Sequence, residues 1–260
     1  MVPLVSLIIP TYYRNERLIK AIDSARYQTY HNIEIIVIDD SGVKHVKEVE
    51  DQYRDAENVK FYQNIGKGGN VARNYGVSKS NGEIITFLDD DDELFPEKIY
   101  KQYSLLNDML SVWDDIVIYC GTSIYKDNQQ IKEWIPTWYG CVHNIFLVYN
   151  FASNVTLFMK KNTFLKSGGF DEELEALQEW DLNIRLSKFA YYFPVKLPLV
   201  KVNRHTTNKM VEMGNKYWTI RKSIIFKYKS EWKISTYIFY YFRLLKLYIQ
   251  KPLSWFISSK

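Results

Sequence analysis

Ten residues, Phe87-Leu88-Asp89-Asp90-Asp91-Asp92-Glu93-Leu94-Phe95-Pro96, set the terms for the rest of the chain. Four aspartates follow the apolar run Ile84-Ile85-Thr86-Phe87-Leu88, which is short, β-branched and aromatic and so reads as a buried strand. Pro96 suits the first turn of a helix over residues 96–110, where a missing N–H has no partner to lose. The carboxylates therefore crowd the carboxyl end of a strand, the edge at which open parallel α/β sheets bind ligands. Neighbouring carboxylates repel one another, more so when partly buried, so a compensating positive group is expected. A hard divalent cation with oxygen ligands is the simplest candidate. A solvated acidic turn without a ligand is the plainer alternative.

Residues 4–9 form a near-continuous apolar strand, the pattern of a sheet covered on both faces. A loop, Pro10-Thr11-Tyr12-Tyr13-Arg14-Asn15, leads into a helix over 16–28, with Leu18, Ile22 and Ala25 at helical spacing. Strand 33–38 ends in Asp39-Asp40-Ser41-Gly42. Helix 44–53, strand 59–63, the loop Gly66-Lys67-Gly68-Gly69 and helix 70–78 follow, before Asn81-Gly82 turns into the strand ahead of the aspartates. Strands alternating with helices make this half doubly wound. Beyond residue 110 the pattern loosens. Strands are expected at 116–119, 122–125, 155–159 and 200–204, an aromatic loop at 134–138, a sharp turn at Gly168-Gly169-Phe170 and a helix over 179–188. This half is expected to cover the first sheet and wall a cleft. Three segments result: 1–110, 111–214 and a tail, 215–260.

The formal charge of +4 conceals an asymmetry. Residues 216–260 carry ten Lys/Arg against Glu231 alone, a net of +9, which leaves the remainder with 24 basic and 29 acidic residues, a net of −5. Nucleic acid is thus not the expected partner of the main domain. Cys120 and Cys141 form no framework, Met1 stands just ahead of the first strand, and no apolar run nears the roughly 18–20 residues of a membrane span. A cytoplasmic protein is expected.

Three polar clusters, Thr11-Tyr12, Asp39-Asp40 and the aspartate run, fall at the carboxyl ends of early strands and would line one crevice. A nucleotide needs such a place: an aromatic ring against the base, a carboxylate for its N–H, acids for the ribose. At this point the residues resemble a family. Val5-Ser6-Leu7-Ile8-Ile9-Pro10-Thr11-Tyr12, Ile35-Ile36-Val37-Ile38-Asp39-Asp40-Ser41, Ala72-Arg73-Asn74, the run Gly82 to Asp92, and later Gly168-Gly169-Phe170-Asp171 and Gln178-Glu179-Trp180-Asp181-Leu182 resemble family 2 glycosyltransferases of GT-A fold. The resemblance implies an α/β fold with a mostly parallel central sheet. It also implies an inverting enzyme that moves a sugar from a nucleoside diphosphate, most simply UDP, to a saccharide or lipid-linked saccharide.

Carried over residue by residue, the resemblance puts Pro10, Thr11 and Tyr12 around the base and Asp40 on its N–H. Arg14, Arg73, Asp89 and Asp90 join the donor-binding set. Asp91 resembles the last aspartate of the family's DxD and would hold Mn²⁺ or Mg²⁺, with His205 as a further ligand. Tyr13 and Ser41-Gly42 depart from the usual pattern at the base pocket. Inversion needs a carboxylate to take the acceptor's proton. Glu179 stands in that register, and Asp181 is the alternative; i and i+2 do not share a helix face. Both could instead be helix N-terminal acids favoured by the dipole. His31, His45 and His143 have no supporting context, and residues 66–69 are no phosphate-loop signature.

Residues 237–249 are aromatic, helical in period and interspersed with cations. That composition suits either an anionic membrane interface at the inner face of the cell membrane or an ordinary helix packed on the domain. Two other classes of function remain open. A nucleotidyltransferase would need a glycine-rich loop after the first strand, and residues 10–15 contain no glycine. A non-catalytic nucleotide- or membrane-binding module would differ by the absence of turnover.

Overall fold

The computed structural model describes residues 2–204 and 215–249, without the side chains of residues 239 and 243–249. Strands β1 (Val5–Thr11), β2 (Ile33–Asp39), β3 (Val59–Gln63) and β4 (Ile84–Phe87) are parallel, in the order β3-β2-β1-β4. Every residue of β1, β2 and β4 is buried, as expected of strands covered on both faces. Helices α1 (Asn15–Arg26), α2 (Lys47–Gln52) and α3 (Gly69–Lys79) connect them. The sheet is covered by two cores. Leu18 and Ile22 of α1 lie in one, with Ile99 and Leu106 of α4 (Lys98–Met109). Val77 of α3 lies in the other, with Phe164, Trp180 and Leu182. Helix α3 approaches β1 and β2 so closely at Gly76 that a Cβ there would lie 2.5 Å from Ile8 and 3.2 Å from Ile38.

The second half packs on one face of this sheet, where Phe164, Phe170 and Trp180 share a core with Ile8 of β1 and Phe87 of β4, and it also extends the sheet. The order continues β4-β8-β6-β9-β5, where β8 is Phe158–Lys160, β6 Ile116–Lys126, β9 Tyr191–Asn203 and β5 Glu93–Leu94. A chain whose β4 edge stayed unpaired would expose a row of backbone donors and acceptors, and antiparallel β8 closes that edge. Residues 116–126 form one strand where two were expected, hairpinned through Asp127-Asn128 to β7 (Gln129–Trp134). Expected strand 200–204 is the end of a 13-residue β9. Pro194 and Pro198 conceal it, because proline cannot donate to a ladder. The ladder tolerates Pro198 through a register shift at Gly121, where a Cβ would sit 2.9 Å from the Leu197 carbonyl oxygen.

Three smaller differences bear on the site. Residues 96–97 form a turn closed by the Lys98 N–H on the Phe95 carbonyl (3.0 Å), so α4 starts two residues late. Glu93–Leu94 leaves the acidic loop as a strand that pairs with Lys201 and Val200. Expected strand 155–159 splits into a 3₁₀ turn, Asn154–Thr156, and β8.

Helices α5 (His143–Phe146), α6 (Lys161–Lys166) and α7 (Gln178–Leu186) precede β9, and α8 (Asn215–Lys227) and α9 (Ile234–Ile249) form the tail. The tail packs on the domain. Ile224 and Tyr228 are buried in the core that holds Trp180, and Arg221 lies 4.8 Å over the Trp180 ring. Its outer face stays open: Trp218, Phe226, Ile234, Ile238, Tyr241 and Phe242 are exposed. No helix among the described residues is long and apolar enough to cross a membrane.

Candidate active site

Because β2, β1 and β4 are neighbours in register, their carboxyl ends bring the three polar clusters together. The Asp40 N–H donates to the Thr11 carbonyl (2.9 Å) and the Leu88 N–H to that of Ile8 (3.0 Å). Asp90 is buried against this end: Thr11 Oγ1 donates to its Oδ2 (2.7 Å), as does the Tyr12 N–H (3.3 Å). Arg14 bridges Asp90 Oδ1 (2.9 Å) and Asp91 Oδ2 (2.8 Å). Burial works against the Arg14 charge, but Asp90 and Asp91 outweigh it and its pKa is raised. Arg73, buried on α3, pairs with Asp89 Oδ1 at 2.5 Å. Asp92 is buried and accepts the Asn203 N–H (3.0 Å); burial and the neighbouring aspartates push its pKa well up. Two arginines thus supply part of the positive charge that the aspartate run demands.

The other wall comes from residues 168–179. Gly168 and Gly169 both take positive φ (85° and 72°), and a Cβ on Gly169 would lie 2.8 Å from Asn74 Oδ1. Asn74 holds Phe170 from both sides, accepting its N–H and donating to its carbonyl, each at 2.9 Å. Asn70 donates to the carbonyls of Asp171 (2.9 Å) and Leu174 (2.7 Å). Two asparagines one turn apart on α3 therefore clamp the loop that delivers α7. Leu177, with φ 60°, starts that helix, and Glu179 lies in its first turn. Burial raises the Glu179 pKa; Arg73 opposes the rise and Asp89 adds to it, so Glu179 shares a field with the Arg73–Asp89 pair.

Comparison with known proteins follows the same outline. The model of glycosyl transferase family 2 matches residues 6–167. The chain belongs to glycosyltransferase family 2. An uncharacterized glycosyltransferase of Rickettsia typhi is 32% identical over 230 residues, which span 83% of this chain and 69% of that protein. A GalNAc(5)-diNAcBac-PP-undecaprenol beta-1,3-glucosyltransferase of Campylobacter jejuni is 41% identical over 95 residues, 35% of this chain and 31% of its own. S. aureus TarS 1-349, solved in complex with UDP-GlcNAc, has the same GT-A fold, with a TM-score of 0.67 at 15% identity over 85% of this chain and 65% of that one.

Within this family 2 chain the expected site residues meet different surroundings. Thr11, Asp89, Asp90, Asp91, Arg14, Arg73 and Glu179 converge as described. Pro10 is buried inside β1, paired with Ile38, and the exposed Tyr12 ring meets Tyr13 edge-on at 4.7 Å. Asp40 spends both carboxylate oxygens on the chain itself, accepting from Asn64 Nδ2 (2.7 Å) and the Gly68 N–H (2.9 and 3.0 Å). Its neighbour Asp39 accepts the Ser41 N–H through Oδ1 (2.9 Å), while Oδ2 is buried without a partner among the described residues. Asp181 is fully buried and binds Tyr228 Oη (2.7 Å), Lys227 Nζ (2.9 Å) and Arg185 Nε (2.9 Å). Burial pushes its pKa up, but those three donors outweigh that and lower it. It pins the tail to α7. Asn70 was not singled out by sequence, and Asn74 entered only as part of the Ala72-Arg73-Asn74 stretch, with no role of its own. His205, Lys251 and Trp255 lie outside the described residues.

Among the described residues no group of three or more His, Cys, Asp or Glu side chains could hold a metal ion. Asp89 and Asp91 keep partial exposure (36% and 21% of their side chains) and offer hard oxygens. Mg²⁺ commonly takes one or two carboxylates and completes its shell with water and substrate phosphates. This donor set fits a cation shared with a diphosphate, and not an all-protein cage.

Proposed function

We propose that the chain transfers a sugar, with inversion, from a nucleoside diphosphate, UDP in the simplest case, to the hydroxyl of a saccharide or lipid-linked saccharide. The observation that carries this reading is the convergence of Glu179, from the second half of the chain, on the Arg73–Asp89 pair of the first. TarS was solved with UDP-GlcNAc, and the Campylobacter relative is named for an undecaprenol-linked acceptor; both support the donor and acceptor classes.

In this mechanism the base lies against the exposed Tyr12 ring, and Thr11, Arg14, Arg73, Asp89 and Asp90 border the ribose and diphosphate. Asp39, with its unpartnered Oδ2, suits the base N–H better than Asp40, whose oxygens are already committed. Asp91 and Asp89 would hold Mn²⁺ or Mg²⁺, which when bound neutralises charge on the diphosphate. Glu179 takes the proton of the acceptor hydroxyl as that oxygen bonds to C1. The bond from C1 to the diphosphate oxygen breaks with its electron pair, and the nucleoside diphosphate leaves from the opposite face. A raised pKa suits a base that must hold a proton after transfer. Asp181 is unsuited, since three donors already hold its oxygens.

Asp91→Asn tests the metal: calorimetry should show loss of divalent-dependent UDP binding in a folded protein, and full metal-dependent binding would remove Asp91 from the site. The exposed Trp218, Phe226, Ile238 and Phe242, within a tail of net +9, support contact with an anionic membrane at the cytoplasmic face. Because Lys227 and Tyr228 anchor α7, deleting the tail would confound that test. Trp218→Ala with Phe226→Ala should weaken binding to phosphatidylglycerol vesicles while melting unchanged; unaltered vesicle binding would dispose of the membrane contact.

A further inference from the structure

The part of the candidate active site that carries the proton acceptor has little of its own to hold it in place. Residues 167–177, between α6 and α7, form neither helix nor strand, and Phe170 is their one buried apolar side chain. Four acids, Asp171, Glu172, Glu173 and Glu175, crowd the middle of this loop and repel one another. Leu177, at φ 60°, starts α7 without a side-chain cap, so local geometry does little to fix where the helix begins. Asn70 and Asn74 clamp the loop from α3, but the last of their contacts is at Leu174, five residues before Glu179.

Helix α8 and the residue after it supply what the loop lacks. Lys216, Ile220, Ile224 and then Lys227 and Tyr228 succeed one another three or four residues apart, so they share the face that packs on the domain. Lys216 pairs with Glu175. Lys227 Nζ bridges two carboxylates, Asp171 Oδ2 (3.1 Å) and Asp181 Oδ1 (2.9 Å), which stand on either side of Glu179 in the chain. Tyr228 Oη donates to the same Asp181 oxygen (2.7 Å), and Arg221 lies 4.8 Å over the ring of Trp180, the residue next to Glu179. The tail therefore holds the chain both before and after Glu179. The Lys227–Asp171 pair is partly exposed, and such pairs add little to stability, so what this one governs is where the loop sits.

We propose that Lys227 is a positioning residue for sugar transfer: its bridge between Asp171 and Asp181 sets the start of α7, and with it Glu179, against the acceptor hydroxyl. Resting on the reading of Glu179 as the base, this role makes the tail part of the catalytic unit. A misplacement of about 1 Å can cost ~10²-fold in rate, and loss of one tie among several should cost about tenfold. The test follows UDP release by the full chain from UDP-glucose, UDP-galactose and UDP-GlcNAc, with water or methyl glycosides as acceptor. Wild type is compared with Lys227→Met, Lys227→Arg, Asp171→Asn and Glu179→Gln, and UDP affinity is measured by calorimetry. Lys227→Met should lower kcat about tenfold, with the donor's KM and UDP affinity unchanged. Lys227→Arg, which can still bridge two carboxylates, should restore most of that rate. Asp171→Asn leaves the buried Asp181 network intact and should lower kcat in the same direction, with Tm near wild type. Because Lys227 acts through Glu179, Lys227→Met should add nothing on the Glu179→Gln background. An additive loss there, no rescue by arginine, or normal kcat in folded Lys227→Met would each overturn the assignment. If Lys227→Met is too unstable to assay, Asp171→Asn decides, and a normal kcat overturns it. Absence of turnover in wild type, or normal turnover by Glu179→Gln, would count against the transferase reading. Hydrogen exchange at residues 171–179 then decides whether the bridge holds the loop: Lys227→Met should quicken it, and unchanged exchange overturns the role.

Discussion

At the amino end of the parallel strands, Glu34 of β2 is buried among Ser6 Oγ (2.6 Å), the N–H groups of Asn81 (2.5 Å) and Gly82 (3.1 Å), and Lys60 Nζ (3.0 Å). Burial alone would raise its pKa; the donors outweigh that and bring it down to about 2. At the carboxyl end of the same strands, Asp92 and Glu179 are pushed up, while Asp39 Oδ2 and the buried Arg73 Nε have no partner among the described residues. A carboxylate surrounded by permanent donors is finished structure. One left short of donors, in a fold that could have supplied them, marks where something else is to bind. Helix α7 repeats the contrast within two residues, with Glu179 short and Asp181 saturated.

The widest separation should come from Glu179→Gln. General-base catalysis contributes ~10²–10⁴-fold, so turnover should fall by about that much in kcat while UDP affinity and Tm stay near wild type. Since its pKa is raised, the wild-type rate should fall at higher pH than an ordinary glutamate would give as acid is added, and the limb should vanish in the variant. A near-normal rate for Glu179→Gln would break the comparison at its functional end.

Asp181→Asn should do the reverse. Removing one partner from a buried ionic network costs about 3–5 kcal/mol, with Lys227's exposure favouring the lower figure. Thermal unfolding should show it as a large fall in Tm, with α8 losing amide protection first. A stable Asp181→Asn that is inactive would mean that the roles of the two acids are exchanged.

Glu34→Gln is the next step down. A fall from 4.5 to about 2 corresponds to about 3 kcal/mol, and the neutral amide keeps part of the hydrogen bonding, leaving a loss of about 2 kcal/mol in urea denaturation at pH 7. The folded pKa lies below the unfolded one, so this stability is present above about 4.5 and disappears as pH falls towards 2. The variant's stability should lack that part of the acid slope. Activity per folded molecule should not change.

The frame of this contrast, though not the contrast itself, was legible in the sequence. Apolar runs gave β1, β2 and β4 because doubly covered strands need near-continuous hydrophobicity, and strand adjacency then brought Thr11, Asp40 and Asp89 together. Beyond residue 110 the signals weakened for physical reasons. Proline at 194 and 198 obscured β9, whose pairing depends on a bulge at Gly121, a distant contact that no local window contains. The two-residue β5 is too short to show any period. Glu34 resembled one polar interruption of an apolar strand, since its donors come from positions 6, 60, 81 and 82. Glu179 and Asp181 could be ordered only by register, because what distinguishes them is Lys227 and Tyr228, more than forty residues on.

His143 offers the smallest and most graded test, a saturated position built around a group that titrates near neutrality. Its Nδ1 meets Ser187 Oγ (3.0 Å) and its Nε2 meets Glu231 Oε2 (3.1 Å), with Lys188 on the other oxygen of Glu231. Burial lowers the His143 pKa; Glu231 pulls it back, Lys188 does not, and the net shift is downward from 6.5. The unfolded chain then takes up a proton before the folded one does. Stability is present above about pH 6.5 and declines as pH falls through the interval below it. Glu231 belongs to the turn joining α8 to α9, so the first consequence should be looser tail docking and not global unfolding. Hydrogen exchange at residues 224–237 should quicken between pH 7.5 and 5.5, after correction for intrinsic rates. His143→Gln, which keeps a hydrogen bond but cannot titrate there, should abolish the acceleration. If exchange slows on acidification instead, attraction to Glu231 exceeds the cost of burying the imidazolium, and His143 is a position that gains from its proton.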